Sequence, residues 1–199
     1  PNKIAVTHLG YPKKIINLKR IINCPYILFV GTRWKYKNFE NLLSGISLSK
    51  KIINSFKLVV FGGGKFSKFE LSLLKKYGFK QTDIIHIEGN DYNLYSCFNF
   101  ASAFVYPSLY EGFGLPILES FLYKCPVICS NTSSLPEVAG DGAEYFDPYL
   151  PESIMSALEK VLFSENQRNT LIKNGEIQLK KFSWDGCANQ TLAIYNELI

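Results

Sequence analysis

Hydrophobic positions along the chain form short continuous runs separated by longer amphipathic stretches. Continuous apolar runs are typical of strands that are buried on both faces of a parallel sheet, and amphipathic stretches of helical period predict helices packed on that sheet. The alternation predicts an α/β fold, a Rossmann-like parallel sheet of about six strands with helices on both faces. The clearest predicted strands cover Tyr26 to Val30, Lys57 to Phe61, Ile84 to Ile87, Ala103 to Tyr106 and Val127 to Cys129.

Helical periodicity fills most of the intervals between these strands. Helices are predicted at Asn38 to Leu48, Ser67 to Tyr77, Asp91 to Phe100 and from Pro116 onward. After Asp147 the pattern is helical only, which predicts a helical C-terminal tail made of Pro151 to Phe163, Glu165 to Gln178 and Trp184 to Leu198. At the other end, KIAVTHLG predicts a strand running into a turn, and residues 13–22 are compatible with either a loop or a short helix.

The composition restricts the class of protein. The chain has 199 residues, 47% of them hydrophobic, which favours one large domain with a full core over two small ones. No apolar stretch approaches the ~20 residues that a membrane span needs, and the N-terminus lacks a signal-peptide pattern, so a cytoplasmic location is expected. The five cysteines and two histidines form no CxxC pair and no Cys/His cluster, so no disulfide framework and no metal site is predicted.

The net charge of +5 is distributed unevenly. Residues 1–100 contain 16 Lys or Arg and 5 Asp or Glu, whereas residues 101–199 contain 6 and 12. A basic half favours a phosphate-bearing ligand or a peripheral contact with an anionic membrane. A general abundance of lysine explains the same excess, because dispersed lysines are commonly just solvated. The lysines form no dense run with interleaved aromatic residues, so nucleic acid is not predicted as a partner.

The segment PSLYEGFGLPILES, residues 107–120, carries the densest chemical information. It joins a predicted strand to a predicted helix, and in a parallel sheet such loops lie at the carboxyl edge, where ligands bind. Gly112 and Gly114 let backbone N–H groups approach a ligand closely, and Pro116 suits the first turn of a helix. The positive end of this helix is a candidate phosphate site. The N–H groups that would contribute belong to Phe113, Gly114 and Leu115.

Two carboxylates flank this glycine turn. Glu111 precedes it and Glu119 lies in the first turns of the helix, so one can face a sugar while the other reaches a pair of ribose hydroxyls. An ionised carboxylate only accepts hydrogen bonds, which suits vicinal hydroxyl groups. For Glu119 by itself, the preference of acidic residues for helix N-termini is an equally good explanation.

Two further loops follow predicted strands. GTRWKYKN, residues 31–38, places Arg33, Lys35 and Lys37 between a strand end and a helix start, where two cations can neutralise a diphosphate. The glycine run 62–64 ends the second strand. It is explained equally well by a nucleotide-facing loop and by a tight turn.

Glu111, the seven residues GFGLPIL and Glu119 resemble the E-x7-E motif of family 4 of the retaining glycosyltransferases, also called glycosyltransferases group 1. Residues 126–148, PVICSNTSSLPEVAGDGAEYFDP, continue the resemblance, as does the Phe-Ser-Trp element at residues 182–184. The resemblance covers essentially the whole chain and is most specific over residues 106–147. It implies the GT-B fold of two Rossmann-like domains, in which this chain is the C-terminal, donor-binding domain.

The resemblance also implies a domain organisation. Residues 1–22 would be the remnant of an interdomain strand or linker, and residues 23–183 the Rossmann-like domain that binds a nucleotide sugar. Residues 184–199 would form a helix that packs toward an N-terminal domain missing from this sequence. Without that domain, the apolar residues expected to be partly exposed are Leu192, Tyr195 and Leu198.

The implied reaction transfers a hexose from a nucleoside diphosphate sugar to a glycan or lipid-linked acceptor, with retention of anomeric configuration and without a metal or other cofactor. Lys37 matches the family's lysine by position, whereas Thr32 occupies the usual arginine position and Arg33 follows it. The catalytic residues that the resemblance implies are Glu111, Lys37 and Arg33. The donor-binding residues that it implies are Gly31, Thr32, Gly62, Gly63, Phe113, Gly114, Leu115 and Glu119.

Donor identity and acceptor are less well defined by the sequence. The GTRWKYKN and SSLPEV segments resemble a branch that includes mannosyltransferases, which favours a GDP-mannose-type donor with UDP sugars close behind. Residues 87–90 align with the family's base-binding region. Ser133 and Ser134 resemble a short helix near the donor pocket, and a role as helix caps is equally compatible with them. Acceptor contacts in this architecture come largely from the other domain.

Two other function classes stay open. The chain is also compatible with a non-catalytic nucleotide-sugar-binding module, or with a GT-B-type epimerase, although the additional acid/base residues of an epimerase are not evident. A phosphorylase would need a lysine that binds pyridoxal phosphate, and none is evident. An NAD-binding domain is disfavoured because no GxGxxG opens the first helix and no acidic residue ends the second strand.

Overall fold

The computed structural model describes residues 4–33 and 35–197, and its centre is a parallel sheet of six strands. The strands are β1 Tyr26–Val30, β2 Lys57–Phe61, β3 Ile84–Ile87, β4 Ala103–Tyr106, β5 Val127–Ser130 and β6 Ala143–Phe146. Their order is β3-β2-β1-β4-β5-β6, and every neighbouring pair is parallel. The chain reverses its direction of progress across the sheet between β1 and β4. This is the position at which ligands bind in open α/β sheets.

Helices cover both faces of the sheet, as the apolar runs predict. They are α1 Phe39–Ser47, α2 Lys50–Ser55, α3 Lys68–Lys76, α4 Asp91–Phe100, α5 Leu115–Leu122, α6 Leu135–Ala139, α7 Pro151–Leu162, α8 Glu165–Leu179 and α9 Trp184–Asn196. Helix α2 was not predicted from the sequence. It begins after Ser49, whose hydroxyl accepts a hydrogen bond from the Ile52 N–H at 3.2 Å and caps the helix.

Alternate residues of each strand enter two separate cores. In β1, Tyr26 and Leu28 face one core, with α4, α5 and α6, while Ile27 and Phe29 face the other, with α1, α3 and α7. All four side chains are almost completely buried. Because successive strand residues point to opposite faces, burial on both faces requires an unbroken apolar run. The expected class, a Rossmann-like α/β sheet with helices on both faces, is confirmed.

The predicted strand at KIAVTHLG is wrong, and the sixth strand is β6, at the opposite end of the sequence. Residues 4–25 contain neither helix nor strand, so the loop interpretation of residues 13–22 is the correct one. This segment lies across helices α4 and α5 instead of along a sheet edge. Its backbone N–H groups at Ile15 and Lys19 donate to the hydroxyls of Tyr123 and Tyr92, both at 3.0 Å. The N–H groups of Ile15 and Lys19 therefore bond to side-chain hydroxyls and not to a neighbouring strand.

The C-terminal helix α9 buries none of its residues. Leu192 and Tyr195 are 57% and 62% exposed, as expected, and Leu198 lies outside the described residues. Most soluble helices bury an apolar stripe, so this exposure marks a face without a partner in the described chain. Among the described residues, no helix has the length and apolar character needed to cross a bilayer. The five cysteines are unpaired, and those that are buried are Cys97, Cys125 and Cys129.

Candidate functional site

The predicted site residues converge at the carboxyl edge of the sheet. Gly31 and Thr32 directly follow β1, and Gly62 and Gly63 directly follow its neighbour β2. The two loops touch, since a Cβ atom on Gly63 would lie 2.9 Å from the Gly31 carbonyl oxygen and 3.1 Å from the Thr32 Cα. The loop that carries Glu111 follows β4, the other neighbour of β1. Three loops that are distant in sequence therefore form one surface.

The glycine turn after β4 leads into α5 as the sequence predicts. Gly114 caps the helix with a φ of +113°, a conformation that side chains other than glycine rarely tolerate. The helix begins at Leu115 with Pro116 in its first turn. Among the described residues, the N–H groups of Phe113 and Gly114 have no backbone acceptor. They lie at the positive end of the α5 dipole, so they are available to an anion.

Ser133 and Ser134 hold this turn in place. The Glu111 N–H donates to the Ser133 hydroxyl at 3.0 Å. The Ser134 hydroxyl donates to the carbonyl oxygens of Glu111 and Phe113, at 2.9 and 2.8 Å. Although Ser134 occupies the position before α6, its side chain makes no capping bond. The cap interpretation is therefore wrong, because the hydroxyl is engaged by the neighbouring loop.

Lys37 and Glu111 form an ion pair within the site. The Lys37 Nζ lies 2.6 Å from Glu111 Oε1, and the two side chains are only 12% and 14% exposed. A short 3-10 turn, Lys35–Lys37, brings the lysine there, and the Leu109 N–H fastens it by donating to the Tyr36 carbonyl at 2.7 Å. Two of the three predicted catalytic residues, one from each loop, are therefore in direct contact.

Tyr106, the last residue of β4, is a third member of this group that the sequence did not reveal. Lys37 Nζ also donates to the Tyr106 hydroxyl, at 3.3 Å. Burial raises the pKa of Tyr106, and the Glu111 carboxylate raises it further, so the hydroxyl stays neutral. From the sequence, Tyr106 was only one of several apolar strand residues, and nothing distinguished it from its neighbours.

Arg33 is not directed at the Lys37 and Glu111 pair. Its guanidinium donates to Glu70 Oε1 at 2.6 Å and to four carbonyl oxygens of the loop after β2, and the side chain is 1% exposed. Its planar group also stacks on Phe66, 4.4 Å from the ring centroid. Burial alone would raise the pKa of Glu70, but hydrogen bonds from Ser67 and Arg33 lower it below its usual range. All three nitrogens of the Arg33 guanidinium are thus engaged, Nε by Glu70 and the other two by the loop after β2.

Glu119 is the other predicted carboxylate, and its side chain is half-buried. It lies on α5, one turn into the helix, near Asp91 at the start of α4. Burial, reinforced by the negative charge of Asp91, raises the pKa of Glu119 to about 7. A half-buried carboxyl group can accept hydrogen bonds from a ligand.

The N-terminal segment reaches the rim of this site. His8 Nε2 lies 2.8 Å from Glu137 Oε1, and the His8 ring packs edge-on against Phe182 and at a tilt against Phe113. Sequence reasoning missed this contact because His8 is more than a hundred residues from its neighbours. Within residues 4–33 and 35–197, no group of three or more His, Cys, Asp or Glu side chains is placed to hold a metal ion.

The geometry places a lysine in contact with a carboxylate, beside backbone N–H groups without a backbone acceptor, at the carboxyl edge of a parallel sheet. The family model of glycosyl transferases group 1 matches residues 15–178, well over half of the chain. The chain belongs to this family. It is 35% identical over 175 residues to O-antigen chain mannosyltransferase B of Escherichia coli, covering 87% of this chain and 46% of that protein. A serotype-specific mannosyltransferase of Escherichia coli is 30% identical over 193 residues, covering 94% of this chain and 24% of that protein.

Solved structures show the same fold. WaaG, a glycosyltransferase involved in lipopolysaccharide biosynthesis, superposes with a TM-score of 0.78 at 18% identity, covering 96% of this chain and 55% of that one. The C-terminal domain of a glycosyl transferase group 1 family protein from Francisella tularensis has a TM-score of 0.68 at 22% identity, covering 79% of this chain and 87% of that domain. The fold is therefore one Rossmann-like half of a GT-B glycosyltransferase. The chain spans less than half the length of the curated relatives described above.

Proposed function

We propose that this chain is the donor-binding half of a retaining glycosyltransferase that transfers a hexose, mannose-like, from a nucleoside diphosphate sugar. The observation that carries the proposal is the Lys37 and Glu111 pair, 2.6 Å apart, on the loops that flank the β1 and β4 switch point. The cation suits the phosphate end of a sugar diphosphate, and the carboxylate suits the hydroxyl groups of its sugar end. No metal is required, because the lysine and the helix N-terminus supply the positive charge.

In this proposal Lys37 binds the diphosphate and stabilises it as the leaving group. The free N–H groups of Phe113 and Gly114 contribute at the positive end of α5. Fixed donors of this kind stabilise charge that develops in the transition state without having to reorganise. Tyr106 would keep the lysine in position through its hydroxyl, which lies 3.3 Å from the ammonium.

Glu111 and Glu119 would bind opposite ends of the donor. Glu111 accepts hydrogen bonds from the sugar hydroxyls and supports an oxocarbenium-like transition state. It does so in the complex in which Lys37 contacts the donor phosphate as well as Glu111. Glu119, half-buried near Asp91, accepts hydrogen bonds from the ribose hydroxyls. We assign neither carboxylate as a covalent nucleophile.

Arg33 would act on the donor indirectly in this proposal. Its bonds to the loop after β2 fix the shape of Gly62 and Gly63, which border the site. A direct contact between Arg33 and the diphosphate would require the release of the Glu70 ion pair and the carbonyl contacts. The proposal therefore places Arg33 among the positioning residues rather than beside the reacting atoms.

The mannose-like donor follows from the relatives, since two curated proteins similar to this chain are mannosyltransferases. The acceptor, a glycan or a lipid-linked sugar, would be bound by a second domain, and the exposed face of α9 is where that domain would pack. A chain without it would bind the donor and turn over little or none.

Calorimetric titration with GDP, UDP, ADP and their sugar conjugates tests the proposal. We expect saturable binding of one nucleoside diphosphate, weakened at least about tenfold in Lys37→Ala and in Glu119→Ala, since each loses an interaction of roughly 1.4 kcal/mol or more. Lys50→Ala is the matched control, because Lys50 begins α2, which leads into the opposite end of β2. The proposed site would be rejected if Lys37→Ala and Glu119→Ala bound GDP, UDP and ADP as tightly as the parent protein does. If the whole transferase consumes donor and acceptor, the chain is not a non-catalytic binding module. If the donor sugar is instead converted into its epimer, the protein is an epimerase.

A further inference from the structure

Three rings from distant parts of the chain meet beside the glycine turn before α5. The His8 ring packs against Phe182 and Phe113, with centroids 5.6 and 6.2 Å away, and the two phenylalanine rings are 5.8 Å apart. Phe182 is almost completely buried, whereas His8 and Phe113 are half-buried. Aromatic rings at such distances attract one another beyond the area that they bury. The position of the Phe113 ring therefore depends on His8 as well as on the core.

His8 also binds the short helix α6. Its Nε2 lies 2.8 Å from Glu137 Oε1, and because a carboxylate only accepts hydrogen bonds, Nε2 carries the proton in this contact. Helix α6 begins directly after Ser134, whose hydroxyl donates to the Phe113 carbonyl oxygen at 2.8 Å. The contacts thus form a closed ring between α6 and the glycine turn, through His8 on one side and Ser134 on the other.

Gly10 fixes the course of the segment that carries His8. A Cβ atom at this position would lie 2.6 Å from the Ser183 carbonyl carbon and 2.7 Å from Trp184 Cγ, so a larger residue does not fit. The backbone at Gly10 is buried and lies directly on the start of α9. Close packing at Gly10 therefore takes the place of regular structure in holding His8 over the phenylalanine rings.

The contacts of His8 lead to one of the backbone donors of the proposed donor site. The Phe113 ring is held by His8 and Phe182, and the Phe113 carbonyl oxygen is held by the Ser134 hydroxyl. In the part of the chain that the structure describes, the Phe113 N–H has no backbone acceptor. A donor that is fixed before an anion arrives contributes more to affinity than one that must be ordered during binding.

The contact between His8 and Glu137 lies at the surface. The two side chains are 38% and 63% exposed. Exposed pairs of this kind contribute little to the stability of a whole domain. The consequence of the contact is therefore expected to be local, in the geometry of the neighbouring turn.

We propose that His8 is a positioning residue for the donor site, which holds the Phe113 N–H in place for the diphosphate through its contacts with Glu137 and the Phe113 ring. His8 itself does not touch the reacting atoms. The inference rests on the proposed function, since the anion that this N–H receives is the diphosphate of the donor. A substitution of His8 would therefore weaken binding of the nucleoside diphosphate more than it destabilises the fold.

Titration of three variants with GDP, UDP and ADP tests the inference. His8→Ala is expected to weaken binding of the preferred diphosphate about fivefold, because the Phe113 N–H must then be ordered during binding. His8→Gln is expected to stay within about twofold of the parent protein, since its side-chain amide can donate to Glu137 in place of Nε2. Tyr92→Phe is the matched control, because the Tyr92 hydroxyl accepts the Lys19 N–H and anchors the same N-terminal segment away from the turn. It is expected to leave the affinity unchanged.

Two further measurements separate positioning from a general loss of structure. The midpoint of thermal unfolding is expected to fall by less than about 3 °C in all three variants. NMR relaxation of the backbone amides is expected to show lower order parameters for Phe113 and Gly114 in His8→Ala. The same order parameters are expected to keep their parent values in His8→Gln and Tyr92→Phe.

The inference is overturned if His8→Ala binds the diphosphate as tightly as the parent, if His8→Gln is as weak as His8→Ala, or if Tyr92→Phe weakens binding equally. Unchanged order parameters in His8→Ala would overturn it as well, as would a loss of thermal stability far beyond that of Tyr92→Phe. If the parent protein binds none of GDP, UDP and ADP, the proposed function fails, whereas the order parameters still decide whether His8 holds the turn.

Discussion

The Lys37 ammonium contacts the Glu111 carboxylate at 2.6 Å, and both groups are largely removed from water. Two charges held this way depend on one another, because removing one leaves the other poorly solvated. In the proposed complex a sugar diphosphate would enter between them, with phosphate at the lysine and hydroxyl groups at the carboxylate. The ion pair would therefore hold both side chains in their donor-binding positions before the donor enters.

A double-mutant cycle on this pair tests their mutual dependence. Lys37→Met and Glu111→Gln are each expected to lower the free energy of unfolding by about 2 kcal/mol, since each leaves a partly buried charge unpaired. The double variant is expected to be close to the parent protein in stability. Urea unfolding of the four proteins measures the coupling. Additive losses would show that the two side chains do not interact.

Arg33→Lys is expected to destabilise the chain by about 2 kcal/mol and to weaken donor binding. Lysine keeps the charge but cannot reach Glu70 and the loop carbonyls together, as the planar guanidinium does. The measurement is thermal unfolding together with nucleotide titration. Arg20→Lys is the control, because Arg20 is exposed and only stacks on Phe100. If Arg33→Lys behaves like this control, the loop does not depend on Arg33.

Glu119→Gln is expected to change how stability depends on pH. The folded-state pKa of Glu119 is raised to about 7 from a usual value of 4.5. The folded protein therefore holds this proton more tightly than the unfolded chain, and the associated stability is present below pH 4.5 and is lost as pH rises through 7. The free energy of unfolding of the Gln variant does not include this loss. Relative to the parent protein, it should therefore rise by up to about 3 kcal/mol between pH 4.5 and 7.

Urea unfolding at several pH values between 4 and 8 measures this difference. Glu152→Gln, an exposed position on α7, is the control and is expected to leave the profile of the parent unchanged. Parallel profiles for Glu119→Gln and the parent would mean that the carboxyl group is well solvated in the folded protein.

Ser134→Ala is expected to loosen the turn that carries Glu111. The variant loses the hydroxyl proton that the carbonyl oxygens of Glu111 and Phe113 share, so we expect a loss of about 1 kcal/mol in stability and severalfold weaker donor binding. Ser156→Ala on α7 is the control, because its hydroxyl only bonds within its own helix. Unchanged donor affinity in Ser134→Ala would show that the turn keeps its shape without the hydroxyl.

Much of the architecture was readable from local pattern. The strands at residues 57–61 and 103–106 were predicted with their observed bounds, since each is an unbroken apolar run between turns. The strand β6 was not, because Glu144 and Tyr145 interrupt its apolar character at the edge of the sheet. Residues 4–10 have the composition of a strand but form none, and His8 instead packs on the rings of Phe113 and Phe182. Composition therefore does not decide which segments find a pairing partner.

The sequence by itself determined the fold class, the glycine turn before α5 and the family, because these depend on residue types at short spacings. Only the tertiary structure decided the partners of the charged residues. It joined Lys37 to Glu111, 74 positions away, and turned Arg33 toward Glu70, although both cations lie in the same short loop. Which carboxylate a cation meets depends on how neighbouring strands bring their loops together. That arrangement is set by packing across the whole sheet, so neither residue shows from its place in the sequence which partner it will meet.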